Sequence, residues 1–91
     1  GNQFEVRHAP GHSPGHVMFY CQAKSVLFSG DVIFKQSIGR TDLPGGDYDT
    51  LMTSIREQVM TLPAETRILS GHMGETTVGA EKNENPFLQH G

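Results

Sequence analysis

Two histidines, four residues apart, lie in the stretch Pro10-Gly11-His12-Ser13-Pro14-Gly15-His16. Glycine tolerates backbone angles that other residues avoid, and proline fixes its own φ angle. We therefore expect a tight, pre-shaped loop here rather than a helix. The flanking residues 3–8 and 16–22 are rich in apolar side chains and predict strands. A rigid loop between two strands can hold a metal ligand or a catalytic base, because the scaffold already orders the loop.

Two further strands are predicted downstream, and each ends in a glycine followed by a polar residue. Residues 26–28 form the first of these and end at Ser29-Gly30-Asp31, and residues 67–69 form the second and end at Ser70-Gly71-His72. Residues 35–49 lie between them and are rich in glycine. Long loops of this kind in compact domains are often functional.

Apolar side chains at helical spacing predict one clear helix over residues 50–61. The side chains of this stripe are Leu51, Ile55, Val59 and Leu62. We expect Asp49 to cap the N-terminus of this helix. A second, weaker helix is expected over residues 76–84, where Pro86 would stop it.

Composition restricts the function classes open to this chain. Its 91 residues suffice for one small domain, or for a piece of a larger one, and its net charge of −3 offers no basic surface to a nucleic acid. No apolar run is long enough to cross a membrane. The single cysteine, Cys21, is expected to be buried and excludes an internal disulfide, which suits a reducing cytoplasm.

Three candidate metal ligands, His12, Asp31 and His72, each follow a glycine at the end of a predicted strand. If these strands are neighbours in one sheet, the three side chains converge at one edge, and their donor atoms suit zinc, iron or manganese. Taken singly, each has a structural reading, because Gly-Asp is a common turn dipeptide and a lone loop histidine is more often structural. Taken together, they favour a metal site.

Two further residues are assigned roles around this site. We expect His16 to orient the loop by hydrogen bonding, as residues around a metal ligand do. Arg40 can bind an anionic substrate, since guanidinium pairs well with carboxylates. The alternative for Arg40 is a surface ion pair with Asp42 or Asp47, and the sequence leaves the two open.

Four motifs carry a family resemblance: HAPGHSPGH at residues 8–16, FSGD at 28–31, SIGRTDLPGGD at 37–47 and SGH at 70–72. In this order and spacing they resemble the metallo-β-lactamase superfamily and, within it, the glyoxalase II-like (hydroxyacylglutathione hydrolase) branch. The tail over residues 75–88 is similar to that branch as well. The family's upstream motif His-x-His-x-Asp-His does not occur in residues 1–91.

The resemblance implies an α/β (α+β) fold in which residues 1–91 form the C-terminal half of an αββα sandwich. That half has a mixed sheet with one or two helices packed on one face. It implies that His12 binds a first metal, that Asp31 bridges two metals and takes part in catalysis, and that His72 binds the second metal. The expected cofactor is a pair of zinc ions, with iron or manganese as alternatives.

The activity implied by the resemblance is hydrolysis of a small thioester by a metal-bound hydroxide, with a glutathione derivative as the candidate substrate. The isolated chain is expected to bind metal weakly or not at all and to be inactive. Two alternatives stay open: a mono-iron persulfide dioxygenase, whose class also carries Gly-Arg-Thr-Asp after the bridging aspartate, and a non-catalytic binding or assembly module. A half-sandwich leaves one sheet face uncovered, with Val17, Phe19 and Leu27 as candidates for it. We therefore expect two copies to pair through the sheet or to swap elements.

Overall fold

Five strands of this chain form one mixed sheet in the computed structural model, which describes residues 3–13, 15–71 and 74–89. In chain order the elements are β1 (Glu5–His8), β2 (Val17–Cys21), β3 (Val26–Gly30), β4 (Ile33–Phe34), β5 (Ser37–Ile38), α1 (Tyr48–Gln58), β6 (Arg67–Ser70), β7 (Glu75–Thr77), α2 (Val78–Glu84) and a short 3₁₀ helix (Pro86–Leu88). The strand order in the sheet is β1-β2-β3-β6-β7, and β4 pairs with β5 in a separate hairpin.

The sheet is antiparallel except where β3 meets β6. The chain leaves the sheet after β3, forms the β4–β5 hairpin and α1, and returns to pair β6 parallel to β3. Parallel neighbours end at the same edge of a sheet, so the residues after β3 and after β6 lie side by side. The hydrogen bond from Gly71 N–H to Gly30 O, at 3.1 Å, joins the two strand ends. The mixed sheet predicted for this chain is confirmed.

Helix α1 begins two residues earlier than predicted. Its N-cap is Asp47 rather than Asp49, because the Asp47 carboxylate accepts hydrogen bonds from Asp49 N–H and from the Thr50 hydroxyl, at 3.3 and 2.6 Å. Asp49 lies in the first turn, where its negative charge still favours the helix. The predicted apolar stripe is confirmed, since Leu51 and Ile55 are fully buried in the core.

The second predicted helix is shorter than expected. Residues 75–77 extend the sheet as β7, which pairs with β6, and only Val78–Glu84 are helical. The Thr77 side chain caps α2 by accepting from Ala80 N–H at 3.1 Å. Neither α1 nor α2 is long and apolar enough to cross a membrane, and the same holds for every helix in the described ranges.

The two faces of the sheet differ in burial. One face contributes Met18, Leu27 and Ile68 to the same buried core as α1. The other face presents a row of apolar side chains in one register, Val6, Phe19 and Phe28, with exposed fractions of 53%, 44% and 40%. Phe4, just before β1, adds to this row, since the Phe4 and Phe28 rings lie 5.9 Å apart.

The prediction of an uncovered sheet face holds for Phe19 and is wrong for Leu27. Side chains alternate along a strand, and Leu27 pairs with Tyr20 rather than with Phe19, so Leu27 lies on the buried face. Val17 is only partly buried. On β1, Val6 also belongs to the exposed face. Pairing of two copies through this sheet face, or a swap of elements between them, stays a prediction.

Candidate functional site

The loop between β1 and β2, which carries His12 and His16, is held against the N-terminal half of α1 by hydrogen bonds to its backbone. Ala9 N–H donates to His16 O at 2.9 Å and closes the loop at its base. Gly11 O accepts from Asp47 N–H at 2.7 Å, and Pro10 O accepts from the Ser54 hydroxyl at 2.7 Å. The loop is thus tied to the helix cap and to the helix flank, and this fixes the direction of the His12 side chain.

The His12 ring is oriented by a backbone carbonyl. Its Nδ1 lies 2.8 Å from Arg40 O. A carbonyl oxygen can only accept a hydrogen bond, so in the neutral imidazole Nδ1 carries the proton and Nε2 presents a lone pair. Nε2 lies 3.8 Å from Oδ2 of Asp31.

His12 Nε2 and Asp31 Oδ2 fit a metal ion better than they fit each other. Their separation of 3.8 Å is too long for a hydrogen bond. Two such donors can both reach one ion that lies about 2.1 Å from each of them. The side chains are 21% and 37% exposed, so an ion and a small ligand could enter from solvent. A nitrogen and a carboxylate oxygen are a donor set that zinc, iron and manganese all accept.

Asp31 takes its position from the end of β3. It follows Gly30, whose carbonyl is bonded to Gly71 at the end of β6. A Cβ atom on Gly71 would lie 3.6 Å from Asp31 Oδ1, so the end of β6 borders the carboxylate. The ends of β3 and β6, two of the three strand ends that the sequence predicts to converge, therefore meet beside Asp31. His72, the third predicted ligand, lies outside the described residues. Among the described residues, no group of three or more His, Cys, Asp or Glu side chains could hold a metal ion.

His16 packs against His12 rather than bonding to it. The two rings meet edge to face, with centroids 5.7 Å apart and planes at 85°. The His16 Nε2 atom is buried and has no hydrogen-bond partner in the described part of the chain. The His16 backbone carbonyl accepts the hydrogen bond from Ala9 N–H that closes the loop. The expected orienting role through the ring stays a prediction, and the buried nitrogen beside Gly30 is a polar atom that a bound group could satisfy.

Arg40 contributes its backbone carbonyl to the site, while its side chain binds Asp42. Its guanidinium donates two hydrogen bonds to the Asp42 carboxylate, at 2.8 and 2.9 Å, and both side chains are exposed. Of the two ion pairs that the sequence left open, the one with Asp42 forms, and Asp47 caps α1 instead. Binding of an anionic substrate by Arg40 stays a prediction. The carbonyl that holds His12 was not predictable from residue type, since every residue has one.

The Arg40–Asp42 pair predicts a low titration midpoint for Asp42. The hydrogen bond from the Arg40 side chain, helped by a backbone hydrogen bond, lowers the pKa of Asp42 from 3.8 to about 2. A lowered pKa means that the pair contributes its stability fully above pH 3.8 and loses it as the pH falls through about 2. We expect carboxyl ¹³C NMR of Asp42 to titrate near pH 2, and R40Q to move the midpoint back towards 3.8. A midpoint near 3.8 in the unsubstituted chain would contradict the pairing.

Comparison with known proteins identifies the family of this chain. The family model described as metallo-beta-lactamase superfamily matches residues 1–72. The chain is 51% identical over 88 residues to a hydroxyacylglutathione hydrolase, GloC, from Haemophilus influenzae, and the match covers 97% of this chain and 42% of GloC.

Solved structures match the fold closely. The crystal structure of the BLEG-1 B3 metallo-beta-lactamase matches with a TM-score of 0.94 and 55% identity, over 97% of this chain and 42% of that one. The crystal structure of TTHA1623 in a di-iron-bound form matches with a TM-score of 0.90 and 50% identity, over 93% and 42% of the two chains. This chain thus spans about two fifths of the length of these proteins, and it belongs to the metallo-beta-lactamase superfamily.

Proposed function

We propose that this chain supplies one side of a metal-dependent hydrolase site that cleaves a small thioester of the hydroxyacylglutathione type. The observation that carries the proposal is the fixed orientation of His12, whose Nε2 lone pair lies 3.8 Å from the Asp31 carboxylate. The similarity to GloC, named a hydroxyacylglutathione hydrolase, supports the substrate class. Since the chain spans 42% of GloC, the activity belongs to a site that further residues complete.

His12 and Asp31 would hold the metal, and each has a separate task. His12 binds through Nε2 while its Nδ1–H donates to Arg40 O, which fixes the ring and makes Nε2 a better ligand. Asp31 brings a negative charge and two oxygens, so that it can serve one cation or bridge two. The chemistry that a bound divalent cation supplies is a water acidified to a pKa of about 7 and a polarised carbonyl. We propose zinc as the cation, with iron as the alternative that the di-iron form of TTHA1623 supports.

Arg40 is the proposed contact for the charged end of the substrate. A glutathione thioester carries free carboxylates, and the Arg40 guanidinium is exposed and already bound to a carboxylate, that of Asp42. A substrate carboxylate could replace Asp42 with little loss, because both bonds lie in solvent. The single buried Cys21 supports a reducing cytoplasm as the place of action.

The test uses a chimera in which residues 1–91 replace the matching 42% of Haemophilus influenzae GloC. We expect the chimera to bind zinc and to hydrolyse a hydroxyacylglutathione thioester. D31N and H12A should each lower kcat/KM by roughly 10²- to 10³-fold, as loss of a group that stabilises the transition state does. The matched control is H8A, which removes an exposed imidazole from β1 and should leave kcat/KM unchanged.

The other outcomes separate the alternatives. A folded, zinc-loaded chimera without thioesterase activity, or a D31N chimera with full activity, would contradict the proposal. Iron in the protein together with oxygen consumption on a persulfide would favour the mono-iron dioxygenase. A folded chimera that takes up no metal would favour a non-catalytic module.

A further inference from the structure

A buried carboxylate that touches neither His12 nor Asp31 is bonded to the turn of the β4–β5 hairpin. Glu81, on α2, is 1% exposed. Its Oε1 accepts from Gln36 N–H at 2.7 Å and from Asn85 Nδ2 at 2.9 Å, and its Oε2 accepts from the Thr76 hydroxyl at 2.6 Å. Burial of a carboxylate is unfavourable unless its oxygens are bonded, so these hydrogen bonds stabilise the folded chain.

The hydrogen bonds of Glu81 and Asn85 hold the turn of the hairpin and its second strand, β5. Gln36 lies in the turn between β4 and β5 with a positive φ of 60°, a conformation that non-glycine residues seldom adopt without tertiary support. Asn85, which is bonded to Glu81, also donates from Nδ2 to Ser37 O at 3.0 Å, on the first residue of β5. A hairpin of two two-residue strands does not hold its own shape, so these anchors set where β5 runs.

Strand β5 leads directly to Gly39 and Arg40, whose backbones lie against Asp31 and His12. Gly39 follows β5 and donates to Val32 O at 3.0 Å, and it lies so close to Asp31 O that a Cβ atom would be 1.9 Å from it. The next residue, Arg40, provides the carbonyl that binds His12 Nδ1. The position of that carbonyl therefore depends on the path of β5.

We propose that Glu81 is a positioning residue for the His12–Asp31 pair: by binding the β4–β5 turn, it places the Arg40 carbonyl that holds the His12 ring. The proposal rests on the proposed function for its biological meaning, but its test needs neither metal nor substrate. Glu81 touches neither His12 nor Asp31 and acts only through the hairpin.

The test measures the tautomer of His12 in the metal-free chain by ¹⁵N NMR of its ring nitrogens, at a fixed pH where the imidazole is neutral. In the unsubstituted chain Nδ1 carries the proton, as the bond to Arg40 O requires. E81M keeps the side-chain length but removes both acceptors. We expect the ratio of Nδ1–H to Nε2–H to fall about fivefold, the equivalent of losing one ordinary hydrogen bond.

Two variants separate positioning from general loosening. E81Q should keep the Nδ1–H tautomer, because its oxygen still accepts from Gln36 and Asn85 while its amide donates to the Thr76 hydroxyl, which can accept. T76V removes the bond to Oε2, the carboxylate oxygen that does not accept from Gln36. It should lower stability in urea without changing the His12 tautomer.

The proposal is overturned if E81M leaves the tautomer unchanged, or if T76V and E81M change it equally. If E81M does not fold, amide hydrogen exchange of Gln36 in the unsubstituted chain decides. A protected Gln36 amide supports the anchor, and exchange at the rate of an open turn overturns it. An inert GloC chimera would contradict the hydrolase proposal and leave these readouts unaffected, so the two proposals can fail separately.

Discussion

Replacing Gly11 with alanine is expected to remove about 4 kcal/mol or more from the free energy of unfolding. Gly11 has a φ of +129°, which residues with a side chain rarely adopt at a cost of about 1–3 kcal/mol. A Cβ atom there would lie 2.3 Å from the Cα and N atoms of Leu51, which belong to the backbone of α1 and cannot move aside. Overpacking of this kind adds about 1–3 kcal/mol. Denaturation in urea, followed by circular dichroism, measures the loss.

The same substitution at Gly15 is the matched control. Gly15 lies in the same loop, and a Cβ atom added to it would meet no atom of the described residues within 4 Å beyond its chain neighbours. G15A should therefore change the free energy of unfolding by no more than about 0.5 kcal/mol. Equal losses for G11A and G15A would show that the loop is not seated on α1 in the way described.

Replacing Gly39 with alanine is expected to open the site as well as to destabilise the chain. The new Cβ would lie 1.9 Å from Asp31 O and 3.4 Å from His12 Nδ1. Relief of the contact with the Asp31 carbonyl requires the backbone at residue 39 to move away, and the Arg40 carbonyl moves with it. We expect a loss of about 3 kcal/mol in stability. We also expect loss of the Nδ1–H tautomer of His12 and of zinc binding by the GloC chimera.

The control for Gly39 is G74A, since a Cβ atom at residue 74 would have no other atom of the described chain within 4 Å. It should leave stability and the His12 tautomer unchanged. A G39A chain that keeps both its stability and the His12 tautomer would mean that the hairpin does not press against Asp31.

The parts of the fold that follow from periodicity were predictable from the sequence. Short apolar runs bounded by glycine or polar residues located β1, β2, β3 and β6, and the spacing of Leu51 and Ile55 located α1. The meeting of Gly30-Asp31 with Gly71 followed from the assumption that the two strands are neighbours, which the parallel pairing of β3 and β6 confirms.

The parts that depend on tertiary contacts were not predictable. Asp47 and Asp49 are both acceptable cap residues, and only the path of the chain into α1 decides between them. Leu27 and Phe28 are both apolar neighbours, so the strand parity that buries one and exposes the other needs the register with β2. Glu81 lies within the predicted second helix, and nothing in its local sequence reveals that α2 packs against a hairpin.

The parallel pairing of β3 with β6 also affects how the chain folds. The loop of residues 9–16 joins β1 to β2 and a short turn of residues 22–25 joins β2 to β3, so this meander forms from contacts close in sequence. β6 must wait until the long connection through the β4–β5 hairpin and α1 has closed, and such closure is entropically slow. We therefore expect the edge where Gly30 meets Gly71 to be among the late contacts of folding, so that Asp31 acquires its final surroundings only after the meander exists.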